Sequence, residues 1–513
     1  MSSIPRDITV LVQFTSGVRM PSYIDANPIA KGPFTPAWGS LGTFQCPAWF
    51  RDAKFGIWSH WGPQSVPMFG DWYARHMYTP GHPQYNHHLR TCGHPSKFGW
   101  KDMIPLWKAE RFDPEGLMKI YTDAGAKYFV AQAAHHDNFD NWDSKHHRWN
   151  AATMGPKKDI VRLWHDAARK FDLPFGLTEH LGAAYTWWIT NKMADIDGAF
   201  AGAPYDGNDR ANDDLYLPHT KAEIEEGIRL HKEGKRLQWY TDNPYWHERW
   251  YLRVKDMIDQ FEPDLLYSDG ELPFGETGLA IVAHLYNVSA KRHGGTNNAV
   301  YNQKNKDPKF AATGVFDIER GQMDEAASSP WQTDTCVGGW FYDVRQTYKS
   351  AKQIIETLVD IVSKNGNLLL NFTQRPDGTL DEECHHILKG ITAWTSVNGE
   401  GIFGTRPWKK AAEGPSRFVQ KATFEEKPVE WTSADFRFTQ KDAAVYAFQM
   451  KCPEDRGAYI RSLGRAAGKV KSVAVLGSSE AITFRQLEDC LFVQLPKEMT
   501  CPHTPCIKVT VEP

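Results

Sequence analysis

Between about residues 54 and 400, short apolar runs alternate with amphipathic helical stretches, and this alternation constrains the fold more than any other feature of the chain. The runs at 54–60 (KFGIWSH), 127–136 (KYFVAQAAHH), 174–180 (PFGLTEH) and 264–269 (DLLYSD) are nearly continuously apolar, as strands buried on both faces must be. Further runs lie near Val300, Val315 and Leu368. Between them, 157–171 puts Ile160, Trp164, Ala167, Ala168 and Phe171 on one helical face, and 350–364 does the same with Ile354, Ile355, Leu358, Ile361 and Val362. Asn365 and Gly366 then stop the second helix ahead of the strand NLLLNF. Strands alternating with coating helices predict an α/β fold, a (β/α)8-like barrel of the TIM type over residues 46–407.

The rest of the chain departs from that pattern in three places. Residues 1–45 carry Pro and Gly with little periodicity and read as an arm packed on the barrel. The stretch 182–244, rich in Gly, Asp, Asn and Trp, reads as an insertion over the barrel mouth. From 408 to 513 short alternating strands such as AAVYAFQM, VKSVAVLG, CLFVQLP and CIKVTV predict a C-terminal antiparallel β-sandwich. A length of 513 residues fits two such domains.

Composition narrows the function classes. With 59 Lys plus Arg against 62 Asp plus Glu there is no net field to hold a polyanion, so no nucleic-acid partner is expected. No run is long enough to span a bilayer, so no membrane association is expected either. The N-terminal MSSIPRDITVLVQFTSG lacks the basic start and long apolar run of an export signal. The chain as given therefore reads as cytoplasmic, or as periplasmic or secreted if a signal has been removed. Eight scattered Cys predict free thiols. The 20 Trp offer flat apolar faces of the kind that stack on sugars.

Polar residues gather where the predicted strands end, the face on which a parallel barrel builds its active site. The first strand ends in His60, followed by Asp71 and Trp72; the second in His135 and His136; the third in Glu179 and His180. Several imidazoles at successive strand ends predict a hydroxyl-binding pocket. Metal-dependent barrels commonly carry two His one residue apart on the first strand, whereas His60 is followed by Trp61 and Gly62, so no metal is expected. No cofactor motif is present. The fourth strand delivers Asp269 at the barrel rim, where it is either a functional acid or a helix cap. A second carboxyl group suited to proton donation is Glu319, in VFDIERG on the presumed sixth strand, with Glu179, Glu271 and Glu276 as alternatives.

Ordered strings from about Trp49 to Pro407, namely WFRDAKFGIWSHWG, GDWYARHMY, AGAKYF, HHDNFDNWDSK, GPKKDIV, PDLLYSDG and NGNLLLNF, resemble glycoside hydrolase family 29, the α-L-fucosidases. The resemblance implies hydrolysis of terminal α-L-fucosides with net retention. It gives the nucleophile role to Asp269 and sugar contacts to His60, Asp71, Trp72, His135, His136 and Tyr267. It gives the Trp closing over the sugar's apolar face to Trp331, in PWQTD, and the acid/base to Glu319, twelve residues earlier. The chain departs from the family pattern with Asp71 for Glu, Tyr267 for Trp, and Thr178, Glu179 and His180 where tyrosines are usual. Glu179 or His180 beside carbon six of the sugar could admit L-galactose. The expected partner is a fucosylated oligosaccharide or polysaccharide, with an oligomer allowed. The alternatives are an α-L-galactosidase, or a non-catalytic carbohydrate-binding protein of the same fold.

Overall fold

The computed structural model describes residues 20–235, 237–418, 426–501 and 503–512. The N-terminal string bearing on export lies outside the described residues, as does the first part of the predicted arm. Eight parallel strands close into a barrel in sequence order: β1 (Phe55–Ser59), β2 (Tyr128–Ala134), β3 (Phe175–Glu179), β4 (Leu265–Ser268), β5 (Val300–Gln303), β6 (Val315–Asp317), β7 (Trp331–Cys336) and β8 (Gly366–Asn371). β8 returns to β1, with Phe55 opposite Leu368. Seven of these strands fall on the apolar runs. The exception is β7, WQTDTC, whose Gln332 and Asp334 are buried polar residues and break any apolar signature.

The side-chain period of two divides each strand between two cores. Trp58, Tyr128, Val130, Leu265, Tyr267, Val300, Val315 and Leu369 form one apolar cluster inside the barrel. Their neighbours Ile57, Phe129, Leu266, Leu368 and Leu370 join the larger core under the helices. The helix Ile160–Lys170 buries Ile160, Val161, Trp164, Ala167 and Ala168, and the Asp159 side chain accepts from Arg162 N at its start. The helix Ala351–Ser363 begins with a reciprocal Ser350 and Gln353 capping box, a device that stabilises by about 1 kcal/mol. It ends where Asn365 takes a left-handed φ of 73°.

The described part of the N-terminal segment lies on the barrel. Asn287 accepts from Phe34 N and donates to Ala30 O and Phe34 O. Gly32 is needed there because a Cβ would strike the Asn287 side chain. Residues 182–244 form short helices, among them Lys221–Lys232, before the chain rejoins the barrel through the helix Pro244–Phe261. No helix among the described residues is long and apolar enough to cross a membrane.

The C-terminal domain has two antiparallel sheets. Its strands are β9 (Arg406–Glu413), β10 (Phe436–Lys441), β11 (Ala444–Gln449), β12 (Gly457–Ile460), β13 (Val470–Val475), β14 (Phe484–Gln486), β15 (Leu491–Gln494) and β16 (Cys506–Val511). One sheet has the order β13-β16-β11-β10-β9 and the other β12-β15-β14. Phe436, Phe438, Val445, Ile460, Leu491, Val493 and Ile507 belong to one core that both sheets share. A fully buried ion pair, Arg437 with Asp360, ties this domain to the helix Ala351–Ser363.

Candidate active site

Where the strands end, the interior changes from apolar to polar. Continuing the inward parity of Trp58, Tyr267, Asn302, Asp317 and Gln332 by two residues places His60, Asp269, Lys304, Glu319 and Asp334 at the rim. All five line one cavity of about 440 Å³, with Trp58, Asp71, Trp72, His135, His136, His180, Trp239, Tyr267, Arg320 and Trp340. The volume suits one small ligand. Adjacent His135 and His136 both reach it because the pairing of β2 with β3 shifts register between Gln132 and Ala134.

The two carboxyl groups expected to carry chemistry meet on one ammonium. Lys304 Nζ donates to Asp269 Oδ1 at 2.7 Å and to Glu319 Oε2 at 2.5 Å. Those oxygens are therefore no farther apart than the sum of the two contacts. Burial alone would favour the neutral acid at Asp269, but Lys304, His180 and His136 hold its carboxyl well below the usual range. His136 Nε2 lies 3.3 Å from Asp269 Oδ2, and its Nδ1 donates to His180 O at 2.7 Å. Glu319 goes the other way. Burial, helped by Asp334 and Asp269 and opposed by Lys304, pushes it up to about 7. Two carboxyl groups pushed apart in this way suit an ionised nucleophile and a protonated donor.

The opposite wall is imidazole. His60, His135 and His180 are buried, with ring centroids 4.7 to 5.3 Å apart. Burial pushes all three down, His180 to about 3, so they are neutral. Their potential ligand atoms lie within 4.8 Å of one another, a group whose chemistry could hold a cation. Gln64 Nε2, however, lies 2.7 Å from His135 Nδ1, and Gln64 Oε1 accepts from Ala74 N. That orientation leaves the His135 proton on Nε2, where the nitrogen is a hydrogen-bond donor and has no lone pair for a metal. Asp71, raised to about 7 by burial, accepts from Trp72 N and lies 4.0 Å from His135 Nε2.

Two predicted site residues lie elsewhere. Trp331 begins β7 at the end of the barrel away from the pocket, and its parity is opposite to that of Gln332 and Asp334. Its Nε1 donates to Lys364 O at 2.9 Å, and its ring packs over Gly366. Glu179 has the parity of Ser268, its partner in the β3–β4 register, and so turns away from the pocket. Its Oε2 accepts from Leu181 N, Gly182 N and Trp250 Nε1. Of the alternative acids, Glu271 and Glu276 are also absent from the lining, where Glu319 is the only glutamate among the described residues.

Lys304, Asp334, Arg320, Gly270, Trp58, Trp239 and Trp340 are the lining residues that sequence reasoning missed. Parity from Val300 could have found Lys304. Trp239 comes from the insertion, where Tyr240 OH donates to Asp269 O at 3.1 Å and to Glu271 O at 2.8 Å. The backbone of Trp340 is held by Asn371 Nδ2, and Asn371 Oδ1 accepts from His60 N.

A barrel-top pocket with an ionised and a protonated carboxyl group within bond-cleaving reach, walled by imidazole and indole, is that of a glycoside hydrolase. The family model for alpha-L-fucosidase matches residues 23–400, and that for the alpha-L-fucosidase C-terminal domain matches 429–510. The chain belongs to the alpha-L-fucosidase family. It is 28% identical to the tissue alpha-L-fucosidase of Rattus norvegicus over 442 residues, 84% of this chain and 82% of that one. It is 27% identical to the plasma alpha-L-fucosidase of Homo sapiens over 489 residues, 92% and 90% of the two chains. In fold it is similar to the alpha-fucosidase of Thermotoga maritima solved with fucose, at a TM-score of 0.71 and 22% identity, covering 93% of this chain and 100% of that one.

Proposed function

We propose that this protein removes terminal α-L-fucosyl units from fucosylated oligosaccharides or polysaccharides by double displacement, with Asp269 as nucleophile and Glu319 as acid/base. The observation that carries the reading is the shared contact of both carboxylates with Lys304, which spaces them within the roughly 5 to 5.5 Å of retaining enzymes and leaves no room for an intervening water. Asp269 attacks the anomeric carbon as Glu319 gives its proton to the departing oxygen, and the glycosidic electron pair leaves with the aglycone. Glu319 then takes a proton from water, which displaces Asp269 from the sugar. An alpha-L-fucosidase from Bacteroides thetaiotaomicron with a TM-score of 0.63 to this chain has been trapped as a covalent intermediate.

In this reading His60, Asp71, His135 and His136 bind ring hydroxyls, while Trp58, Tyr267, Trp239 and Trp340 supply the apolar walls. Proton NMR of the first-formed sugar tests it. The α anomer is expected, and initial release of the β anomer would turn Asp269 into a general base.

A second reading, acceptance of α-L-galactosides, is favoured by His180 and not by Glu179. The His180 ring stacks on Trp58 at 6.1 Å, and its buried Nδ1 has no hydrogen-bond partner. An unpaired buried ring nitrogen in an aromatic wall suits an added hydroxyl on the sugar's exocyclic carbon.

A further inference from the structure

Glu319 does not stand on a regular strand. β6 ends at Asp317, yet Ile318 N and Arg320 N still donate to Gln332 O and Asp334 O, both at 2.9 Å, so the backbone follows β7 past its formal end. Arg320 does this with a left-handed φ of 48°, a strained setting for a residue with a side chain. Something must hold it. The Arg320 guanidinium Nε donates to Glu426 Oε2 at 3.1 Å. Glu426 belongs to the C-terminal domain, in the segment between β9 and β10, and only 12% of its side chain is exposed.

The same carboxylate is gripped from the barrel side. Lys349 Nζ lies 2.5 Å from its Oε2, and Thr335 Oγ1 on β7 lies 2.8 and 2.9 Å from its two oxygens. Lys349 also donates to Thr335 Oγ1 and to Cys336 O, each at 2.8 Å. Glu426 therefore joins the residue after Glu319, the outer face of β7 and the start of the helix Ala351–Ser363 in one knot. Three groups converge on one side chain from another domain, more than a domain contact requires.

We propose that Glu426 is a positioning residue for Glu319, through which the C-terminal domain fixes the proton donor at the barrel mouth. The inference rests on the assignment of Glu319 as acid/base. Glu426 touches neither the cavity nor the reacting atoms. It acts by fixing the Arg320 backbone turn, and by pairing the Arg320 guanidinium next to Glu319. Glu319 itself faces Lys304 from β5, Asp269 from β4, Asp334 from β7 and its neighbour Arg320. Around Glu426 are Arg320, Lys349, Thr335 and Cys336.

The test is kinetic, in the full-length enzyme, with Glu426→Ala and the isosteric Glu426→Gln, alongside Glu319→Ala. For a fucosyl disaccharide, whose leaving group needs protonation, kcat should fall about 10-fold in Glu426→Ala with KM within 2-fold. For an activated aryl α-L-fucoside, kcat should change by less than about 2-fold. The basic limb of the pH profile should move to lower pH in both variants, because an unpaired Arg320 favours ionised Glu319. Glu426→Gln, which keeps the size and the contacts to Thr335, should recover part of the disaccharide rate while keeping the pH shift. If Glu319→Ala discriminates between the two leaving groups and the Glu426 variants do not, the positioning role is wrong and the acid assignment stands. If Glu319→Ala does not discriminate, both fall. Equal losses on both substrates in a folded Glu426→Gln also overturn it.

Discussion

The two walls of the pocket respond oppositely to the same burial. On the β1–β3 side, His60, His135 and His180 lose their charge on leaving water and are left as neutral hydrogen-bonding groups. On the β4–β7 side, Asp269, Asp317, Glu319 and Asp334 surround the single ammonium of Lys304. Burial and that one cation sort three of them. Asp317, buried beside Asp334, is pushed well up, Glu319 up to about 7, and Asp269, at 2.7 Å from Lys304, is held well down. The first wall can recognise hydroxyls without committing charge. The second keeps Asp269, the proposed nucleophile, ionised.

If that division of labour is right, losses should be largest on the carboxylate wall. Asp269→Ala should lower kcat by at least about 10⁴-fold with the fold intact, since the covalent route is lost. Azide, filling the vacated space, should restore part of the rate on an activated aryl fucoside. Activity near wild type would place the nucleophile elsewhere.

Glu319→Ala comes next, with a loss of roughly 10² to 10⁴-fold on disaccharides and much less on aryl fucosides. Its pH behaviour sharpens the comparison. As the proposed acid, Glu319 would act protonated, and burial pushes it up to about 7, so kcat/KM should fall as pH rises through that value. Asp71 is also raised to about 7, so the variant Glu319→Gln decides ownership. On an activated substrate its basic limb should vanish, and a limb that survives belongs to Asp71.

On the imidazole wall the effects should be smaller and depend on the sugar. His180→Phe removes one neutral hydrogen-bonding group, worth about 0.5 to 1.5 kcal/mol. It should therefore cut the ratio of α-L-galactoside to α-L-fucoside turnover by up to about 10-fold. An unchanged ratio would remove the ground for the second reading.

The walls also differed in how readable they were. The imidazole wall lies in short strings at the ends of apolar runs, so His60, His135, His136 and His180 could be placed from the pattern. Asp269 was legible for the same reason, behind LLYS. The barrel itself followed from seven such runs. β7 did not, because a strand that lends Gln332 and Asp334 to a buried polar layer has no apolar alternation to detect. Trp331, given its role by the family resemblance, opens that unseen strand, and a residue opening a strand lies a strand's length from the site. Glu179 failed on parity, as one residue separates the inward His180 from a side chain that caps the turn at Leu181 and Gly182. Trp239 and Trp340 sit on long connections, where position is set by tertiary contacts such as Tyr240 with Asp269 O and Asn371 with Trp340 O.

The smallest expected effect on activity is that of Trp331, and it is informative because it is small. A tryptophan that closed over the sugar would contribute through its apolar face, so Trp331→Phe would change KM or kcat. Here the indole lies outside the barrel wall, buried between β7 and the helix Ala351–Ser363, with its N–H on Lys364 O. Substitution by Phe removes that hydrogen bond, leaves the Lys364 carbonyl short of a partner and opens a small void. Together these should cost about 1 to 3 kcal/mol of stability. The expected result is a lower Tm with kcat/KM on fucosides within about 2-fold of wild type. Trp340→Phe is the control, because that ring lines the pocket beside Trp58 at 5.2 Å and His60 at 5.4 Å, and should raise KM with little change in Tm. If instead Trp331→Phe lowers kcat/KM and Trp340→Phe does not, the aromatic wall has been assigned to the wrong end of β7.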